Sequence, residues 1–390
     1  MARHLAANFV NFLILLLLGV GVAVFWGQSE FKKVGPLRNS IFIEVPRGGN
    51  IRGLSEDLAE KGAISNAMVM RLGAKYTQKS AALKYGNYEI PAGASMVEIL
   101  DIVTKGGRST FRFVATYRIN IGGSTLVLAE RDADSGTLNE MLRFKAGEEI
   151  PVAYRDLVAA RTPINYRVTV VEGATSWQVV DGLKKADFLG ESIVTIPGEG
   201  LLAPDSYDVR RGALQSEVLD LMLQAQTRIL AQEWEDRAEG LPLTSMDEAL
   251  TLASIVEKET GVSSEREEVA AVFVNRLNKK MKLQTDPTVI YGITKGEGVL
   301  GRGLRRSELL KKTPYNTYII KALPPTPIAN PGRAAIHAAL HPNASNNLFF
   351  VADGTGGHAF AETLVAHNRN VIKWRKIEAK RRKEAQKSKK

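Results

Sequence analysis

The sequence predicts an α+β protein behind a membrane-spanning helix at its N-terminus, and three observations carry that expectation. An apolar run of 18 residues, Phe9 to Trp26, has Asn11 as its only strongly polar member. Behind it, short β-branched runs closed by Pro or Gly alternate with segments whose apolar residues recur at helical spacing. With 390 residues, 44% of them apolar, the chain can bury cores in two or three domains of ordinary size.

Composition removes several function classes. The chain has no cysteine, which excludes disulfides, thiolate nucleophiles and cysteine-ligated zinc and leaves the compartment open. The formal charge of +10 suggests nucleic acid until its distribution is read. Lys373 to Lys390 holds ten Lys or Arg against Glu378 and Glu384, a net of +8 that leaves +2 for everything else. The body is near neutral, so no nucleic-acid partner is expected, and residues 373–390 read as a solvated basic tail.

Taken in order, the apolar run comes first. At about 1.5 Å of rise per residue it is just long enough to cross a bilayer. It is long for a cleaved signal, and no small-x-small site follows the run before Gln28, Ser29 and Glu30, so an uncleaved anchor over 9–27 is expected behind a short segment 1–8. Arg3 flanks one side and Lys32, Lys33 and Arg38 the other, so basic residues do not orient it.

Ile41 to Val45 reads as a strand turned by Pro46 and Gly48-Gly49. Asn50 caps a helix carrying Ile51, Leu54, Leu58 and Ala59, which Gly62 ends, and a second helix runs from about Asn66 to Tyr76. Gly86 to Pro91 reads as the returning strand, and Ser95 with Glu98 forms a capping box opening a third helix. Residues 108–163 are the least readable part: strand-like pieces at Thr110 to Arg118 and Ser124 to Ala129 flank a turn at Gly122-Gly123, and a small β-rich module is expected there.

Ser245-Met246-Asp247-Glu248 is a further capping box, opening a helix from Ala249 to Glu259 whose middle is apolar on every side. Such a helix should be buried, and the carboxyls of Glu257 and Glu259 near its end should be held protonated by desolvation, as a general acid requires. Periodicity does not choose between them. The string Ala253-Ser254-Ile255-Val256-Glu257-Lys258-Glu259-Thr260 resembles the signature of the MltG (YceG-like) family of lytic transglycosylases. Further matches follow in that family's order: Ser264-Glu265-Arg266, Val274 to Leu277, Leu283 to Gly292, Tyr315 to Tyr318, Leu323 to Pro325, Asn330 to Gly332, Phe349 to Gly354 and Gly357 to Phe360. The likeness extends more loosely upstream through Val171-Glu172-Gly173 and Ala203 to Tyr207. The β-α-α-β order over 40–107, with Gly86-x-Tyr88-x-Ile90 before a turn, resembles the LysM-like subdomain of the same family. Relative to that family, 108–163 looks like an insertion before a C-terminal α+β catalytic domain at 164–372.

The resemblance implies that Glu257 is the catalytic residue. It implies cleavage of the MurNAc-GlcNAc β-1,4 bond of peptidoglycan strands with formation of 1,6-anhydroMurNAc ends, the substrate's own C6 hydroxyl attacking, so that one glutamate serves as acid and then base. Asp286 and Glu172 are the candidate second carboxylates if the reaction is hydrolytic instead. The polar and aromatic inventory suits a sugar cleft. Gln284, Asn316 and Asn368 offer amides, Tyr291, Tyr315, Tyr318 and Phe360 offer flat apolar faces, and Thr285, Asp286, His358 and Glu172 complete the expected substrate-binding set. The family also implies a cell inner membrane location with the body in the periplasm, and peptidoglycan synthases as partners.

Rival readings are a non-catalytic peptidoglycan-binding scaffold, a hydrolytic muramidase and a small-molecule lyase. A pyridoxal lyase needs a Schiff-base lysine and a phosphate cup, and no convincing pair is present. His337-x-x-x-His341 lacks the glutamate of H-E-x-x-H, Asp353 to Gly357 lacks the Lys-Ser/Thr of a phosphate loop, and no G-x-S-x-G elbow occurs. No metal and no cofactor are expected.

Overall fold

In the computed structural model, residues 2–46, 48–105, 110–132, 135–191, 193 and 195–387 are described. The expected boundary at 107–108 and the last three residues of the basic tail lie outside them. The chain begins with α1 (Ala2–Lys32), β1 (Ile41–Val45), α2 (Ile51–Glu60), α3 (Ala67–Tyr76), β2 (Gly86–Ile90) and α4 (Met96–Lys105). There follow β3 (Phe113–Asn120), β4 (Gly123–Arg131), β5 (Leu138–Lys145), α5 (Val152–Ala159), β6 (Ile164–Val170), α6 (Ser176–Lys184), β7 (Ser206–Val209) and α7 (Gln215–Glu235). The last stretch holds α8 (Met246–Glu259), α9 (Arg266–Asn278), α10 (Asp286–Thr294), α11 (Arg306–Leu310), α12 (Arg333–Leu340), β8 (Phe349–Ala352), β9 (His358–Ala361) and α13 (Leu364–Lys387). The protein is α+β, as its sequence predicts.

Two compact units divide the chain: one comprises Met1–Ala115, Leu128–Leu142 and Pro151–Asn165, the other Thr116–Val127, Arg143–Ile150 and Tyr166–Lys390. In the first, β1 and β2 pair antiparallel, Ile41 opposite Ile90 and Val45 opposite Gly86. Asn50 Oδ1 accepts from the N–H groups of Arg52 and Gly53, Asn66 Oδ1 accepts from Met68 and Val69, and Ser95 exchanges bonds with Glu98. These caps satisfy orphan helix donors, which is why the three helices start where the sequence places them. Leu58, Met70, Ile90, Ile99 and Leu100 fill the core.

The N-terminal helix runs past the expected anchor. Phe9–Lys32 is long and apolar enough to cross a membrane, and its 18-residue apolar window has no buried residue. The helix continues beyond Gly27 because Phe31 is buried in the core of β1, β2 and α2–α4. Phe31 packs directly against Gly73 of α3, where any Cβ would meet the ring.

The segment expected to be a separate β-rich module has no sheet of its own. Strands β3, β4 and β5 join β6 and β7 in one five-stranded sheet of order β5-β4-β3-β6-β7, and α5 within the segment is a helix the sequence did not announce. In the second unit Tyr166 and Tyr117 both pack on Phe188, at 4.6 and 5.5 Å between ring centroids. Helix α6 approaches β3 closely through Gly182, whose carbonyl accepts from the Tyr117 hydroxyl at 2.7 Å. The main core of this unit surrounds α8, with Ala253, Ile255 and Val256 fully buried against α7, α9 and α12. The Asp353 to Gly357 glycine-rich stretch is a hairpin turn joining antiparallel β8 and β9, with Asp353 N–H on the Gly357 carbonyl at 3.0 Å.

Candidate active site

Helix α8 explains why carboxyls sit where they do. Ser245 caps it by accepting from Glu248 N–H, but the reciprocal half of the expected box is altered: Glu248 bonds the N–H and hydroxyl of Thr244 instead. Every residue from Ala249 to Val256 is buried, so Glu257, Lys258 and Glu259 are carried to the edge of the core with little choice of environment. Each of the three is forced toward its neutral form by desolvation.

Burial pushes the Glu257 carboxyl above its ordinary range, and the negative charge of Glu172 adds to the rise. The Gly332 N–H, donating to Glu257 Oε2 at 3.0 Å, and the cations Arg266 and Lys258 pull in the opposite direction. Gly332 is the N-cap residue of α12, so the site offers a carboxylate both a backbone donor and the positive end of a helix. Glu172 comes so close to Gly332 that a Cβ there would strike its carboxylate and push that side chain aside.

Three chain segments meet to build this arrangement. Asn330, fully buried, accepts from Leu202 N–H at 2.9 Å and donates its amide to the Ala174 carbonyl at 3.0 Å. Gly173 N–H bonds the Asn330 carbonyl at 2.9 Å, and Lys258 Nζ donates to the Gly173 carbonyl at 3.1 Å. The Val171-Glu172-Gly173, Asn330-Pro331-Gly332 and α8 motifs therefore converge on Glu257.

Glu259 heads a second cluster. Burial raises its carboxyl as well, while the Thr285 hydroxyl bonded to it and the charges of His358 and Arg276 oppose the rise. Asp286 accepts from the Tyr318 hydroxyl at 2.6 Å, and burial followed by that bond raises the Tyr318 phenol. His358 Nδ1 lies 2.8 Å from Glu265 Oε2. The loops carrying Gln284 and Tyr318 are clipped together: Gln284 N–H donates to the Thr317 carbonyl at 3.1 Å, and Thr285 N–H to the Thr317 hydroxyl at 3.0 Å. Gln284 is exposed and takes φ +51°, an uncommon conformation for a residue other than glycine.

Tyr291 belongs to a third group. Its hydroxyl bonds Glu199, whose carboxyl is raised by burial despite the Ser176 N–H donating to it at 2.7 Å. Tyr291 and Lys258 line one cavity of about 340 Å³ with Thr175, Gln178 and Ile290.

The structure thus brings Glu257 and Glu172 together, and separately Thr285, Asp286, Tyr318 and His358 around Glu259. Asn368 is exposed on α13, and Phe360 packs on the flank of the α8 core with Phe350. Asn316 is a correction. Its amide is fully buried and donates to the carbonyls of Glu308, Leu309 and Lys311, while its oxygen accepts from Tyr318 N–H, so it holds a loop rather than offering itself to a ligand. Sequence reasoning missed Glu199, Asn330 and Arg266 as site residues. Arg266 and Asn330 lie inside quoted motifs, so a signal existed; Glu199 sits in a Gly198-Glu199-Gly200 loop without periodicity, and nothing marked it.

Fold and site define an α+β protein whose larger unit gathers desolvated carboxyls at the end of a buried helix. The sequence profile of the YceG-like family matches residues 128–373, and the chain belongs to that family. Its relatives include the endolytic murein transglycosylase of Streptococcus pneumoniae serotype 2 (strain D39 / NCTC 7466), 25% identical over 387 residues, with 94% of this chain and 65% of that protein covered. The protein of the same description from Bacillus subtilis (strain 168) is 29% identical over 315 residues, covering 73% of this chain and 83% of that one. The chain spans 65% of the length of the pneumococcal relative. The crystal structure of a yceG-like protein from Listeria monocytogenes aligns with a TM-score of 0.46 at 24% identity, covering 85% of this chain and 99% of the other.

Proposed function

We propose that this protein is an endolytic lytic transglycosylase of peptidoglycan, cleaving the MurNAc-GlcNAc β-1,4 bond and leaving a 1,6-anhydroMurNAc end, with Glu257 as its acid and base. The observation that carries this reading is the setting of Glu257, a carboxyl raised by burial yet supplied with a backbone donor, Gly332 N–H, that favours its ionised form. Both states are needed in one cycle. The protonated acid gives its proton to the leaving GlcNAc O4 as the C1–O4 bond breaks. The resulting carboxylate, stabilised by Gly332 N–H, Lys258 and Arg266, takes the proton of the MurNAc C6 hydroxyl as O6 bonds to C1, which returns Glu257 to its starting state without water. Glu172 keeps the acid protonated and supplies negative charge beside the cationic anomeric centre. The description of the relatives as endolytic murein transglycosylases supports the substrate.

Gln284 and the Asp286–Tyr318 pair bind sugar hydroxyls, and Tyr291, Thr285, His358 and Phe360 shape the cleft around them. Helix α1 anchors the chain in the cell inner membrane by a single pass with the body in the periplasm, where the β-α-α-β subdomain acts as a LysM-like glycan contact and peptidoglycan synthases are neighbours.

The test is mass spectrometry of the products made from purified peptidoglycan by the full-length protein in detergent, beside Glu257→Gln. Anhydro ends from the wild type alone are expected. Reducing ends would overturn transglycosylation in favour of hydrolysis, with Glu172 as the second carboxylate because it is the one beside Glu257, and absence of any cleavage would leave strand binding without catalysis.

A further inference from the structure

His337 and His341 lie one helical turn apart on α12, and the sequence shows no glutamate between them such as a zinc-binding H-E-x-x-H helix carries. The fold brings a carboxylate from another helix. Glu233, in the last turn of α7, is only 8% exposed, and its Oε2 stands 2.8 Å from His337 Nδ1. One ligand atom from each of Glu233, His337 and His341 lies within 4.8 Å of the other two. The two imidazoles are stacked at 4.2 Å between centroids with 20° between planes, so one ring must turn out of the stack for both to aim a nitrogen at one ion.

We propose that Glu233, His337 and His341 form a binding site for a divalent transition-metal cation of the zinc class, clamping α7 to α12. Two imidazole nitrogens and one carboxylate are a donor set that zinc accepts in tetrahedral geometry, with water completing the fourth position. The nitrogen donors select against magnesium and calcium, which take oxygen ligands. Four contacts compete with the cation: His337 Nδ1 lies 2.8 Å from Glu233 Oε2, Arg333 Nη1 pairs with Glu233 Oε1 at 2.7 Å, His341 Nε2 donates to the Asp236 carbonyl at 2.6 Å, and His341 Nδ1 lies 3.2 Å from the His337 carbonyl. Affinity is therefore weaker than at a closed four-ligand site, and it is tunable through Arg333. The expectation of no metal arises in sequence because the carboxylate is 104 residues away from His337. Occupancy would brace α12, whose N-cap Gly332 contacts Glu257.

The test uses the full-length protein in detergent, stripped with a chelator and titrated calorimetrically with Zn²⁺, and with Co²⁺ followed by visible absorption. One equivalent of Zn²⁺ is expected, with Co²⁺ bands of a four- or five-coordinate site and no heat from Mg²⁺. His337→Ala and His341→Ala should each weaken Zn²⁺ binding by about tenfold or more. Arg333→Gln should tighten it, a gain that misfolding cannot imitate. Absence of stoichiometric Zn²⁺ binding by the wild type, or binding undiminished in both histidine variants, would overturn the site.

Discussion

Glu257 and Glu259 stand two residues apart on one helix and are both desolvated, yet they differ in what each touches. Glu259 is bonded by the Thr285 hydroxyl inside a polar cluster, whereas among the described residues Glu257 takes its hydrogen bond from the Gly332 N–H. Replacing Glu257 by Gln should lower turnover by about 10²–10⁴-fold, the range of general acid–base contributions, with the fold retained. Because burial raises the folded carboxyl above its unfolded value, its favourable contribution to stability is complete below the ordinary carboxyl range and is lost as pH climbs through the raised value. Glu257→Gln should therefore melt higher than the wild type at pH 8, by roughly 0.5–2 kcal/mol, and the gap should close towards pH 4; a variant that melts lower at pH 8 would contradict the assigned burial. The same charges set the rate profile. Glu172 raises the acid and Arg266 lowers it, so Glu172→Gln should move the alkaline limb of kcat/KM to lower pH and Arg266→Gln to higher pH. Limbs that stay fixed in both would detach the profile from Glu257.

At the scale of elements, the parts legible in the sequence are those whose determinants are local. Asn50, Asn66, Ser95 and Ser245 mark helix starts because a short polar side chain satisfies backbone donors two or three residues on, and all four caps form. The burial of α8 was legible for a related reason, since a helix apolar on every side has no face to give to water. What stayed hidden is non-local. Nothing in Phe113 to Lys145 says that its strands share a sheet with β6 and β7, and nothing in Gly198-Glu199-Gly200 says that its carboxyl will be buried against Tyr291. Asn316 failed as a ligand candidate because amides serve loops and ligands with the same chemistry, and only the three carbonyls around it decide. Asn316→Ala should strand those carbonyls and cost about 1–3 kcal/mol, read as a lower melting temperature. Residual folded enzyme should keep its kcat; loss of kcat at unchanged stability would restore a substrate role.

At the scale of the whole molecule, the apolar N-terminal helix does not end where hydrophobicity ends. Its final turns carry Phe31 into the core of the first unit and Glu30 onto the hydroxyl of Ser65, and Lys33 N–H continues the helix bonding to the Ser29 carbonyl at 2.9 Å. An anchor joined by a slack linker would let that unit swing freely at the bilayer. A helix whose last turn is part of the core holds the unit against its own end, because Gly73 admits the Phe31 ring and no larger residue at 73 would. Phe31→Ala removes a ring that is 7% exposed and leaves a cavity against α3, for which a cost of about 3–5 kcal/mol is expected. That exceeds what a flexible tether could lose, so the variant separates the two arrangements. In full-length protein in detergent, Phe31→Ala should be cut by trypsin after Lys32 and Lys33 markedly faster than the wild type, with the first unit melting earlier. Cleavage and melting both unchanged would mean that the helix end is only laid against the unit, and that the turn from span to body is a linker after all.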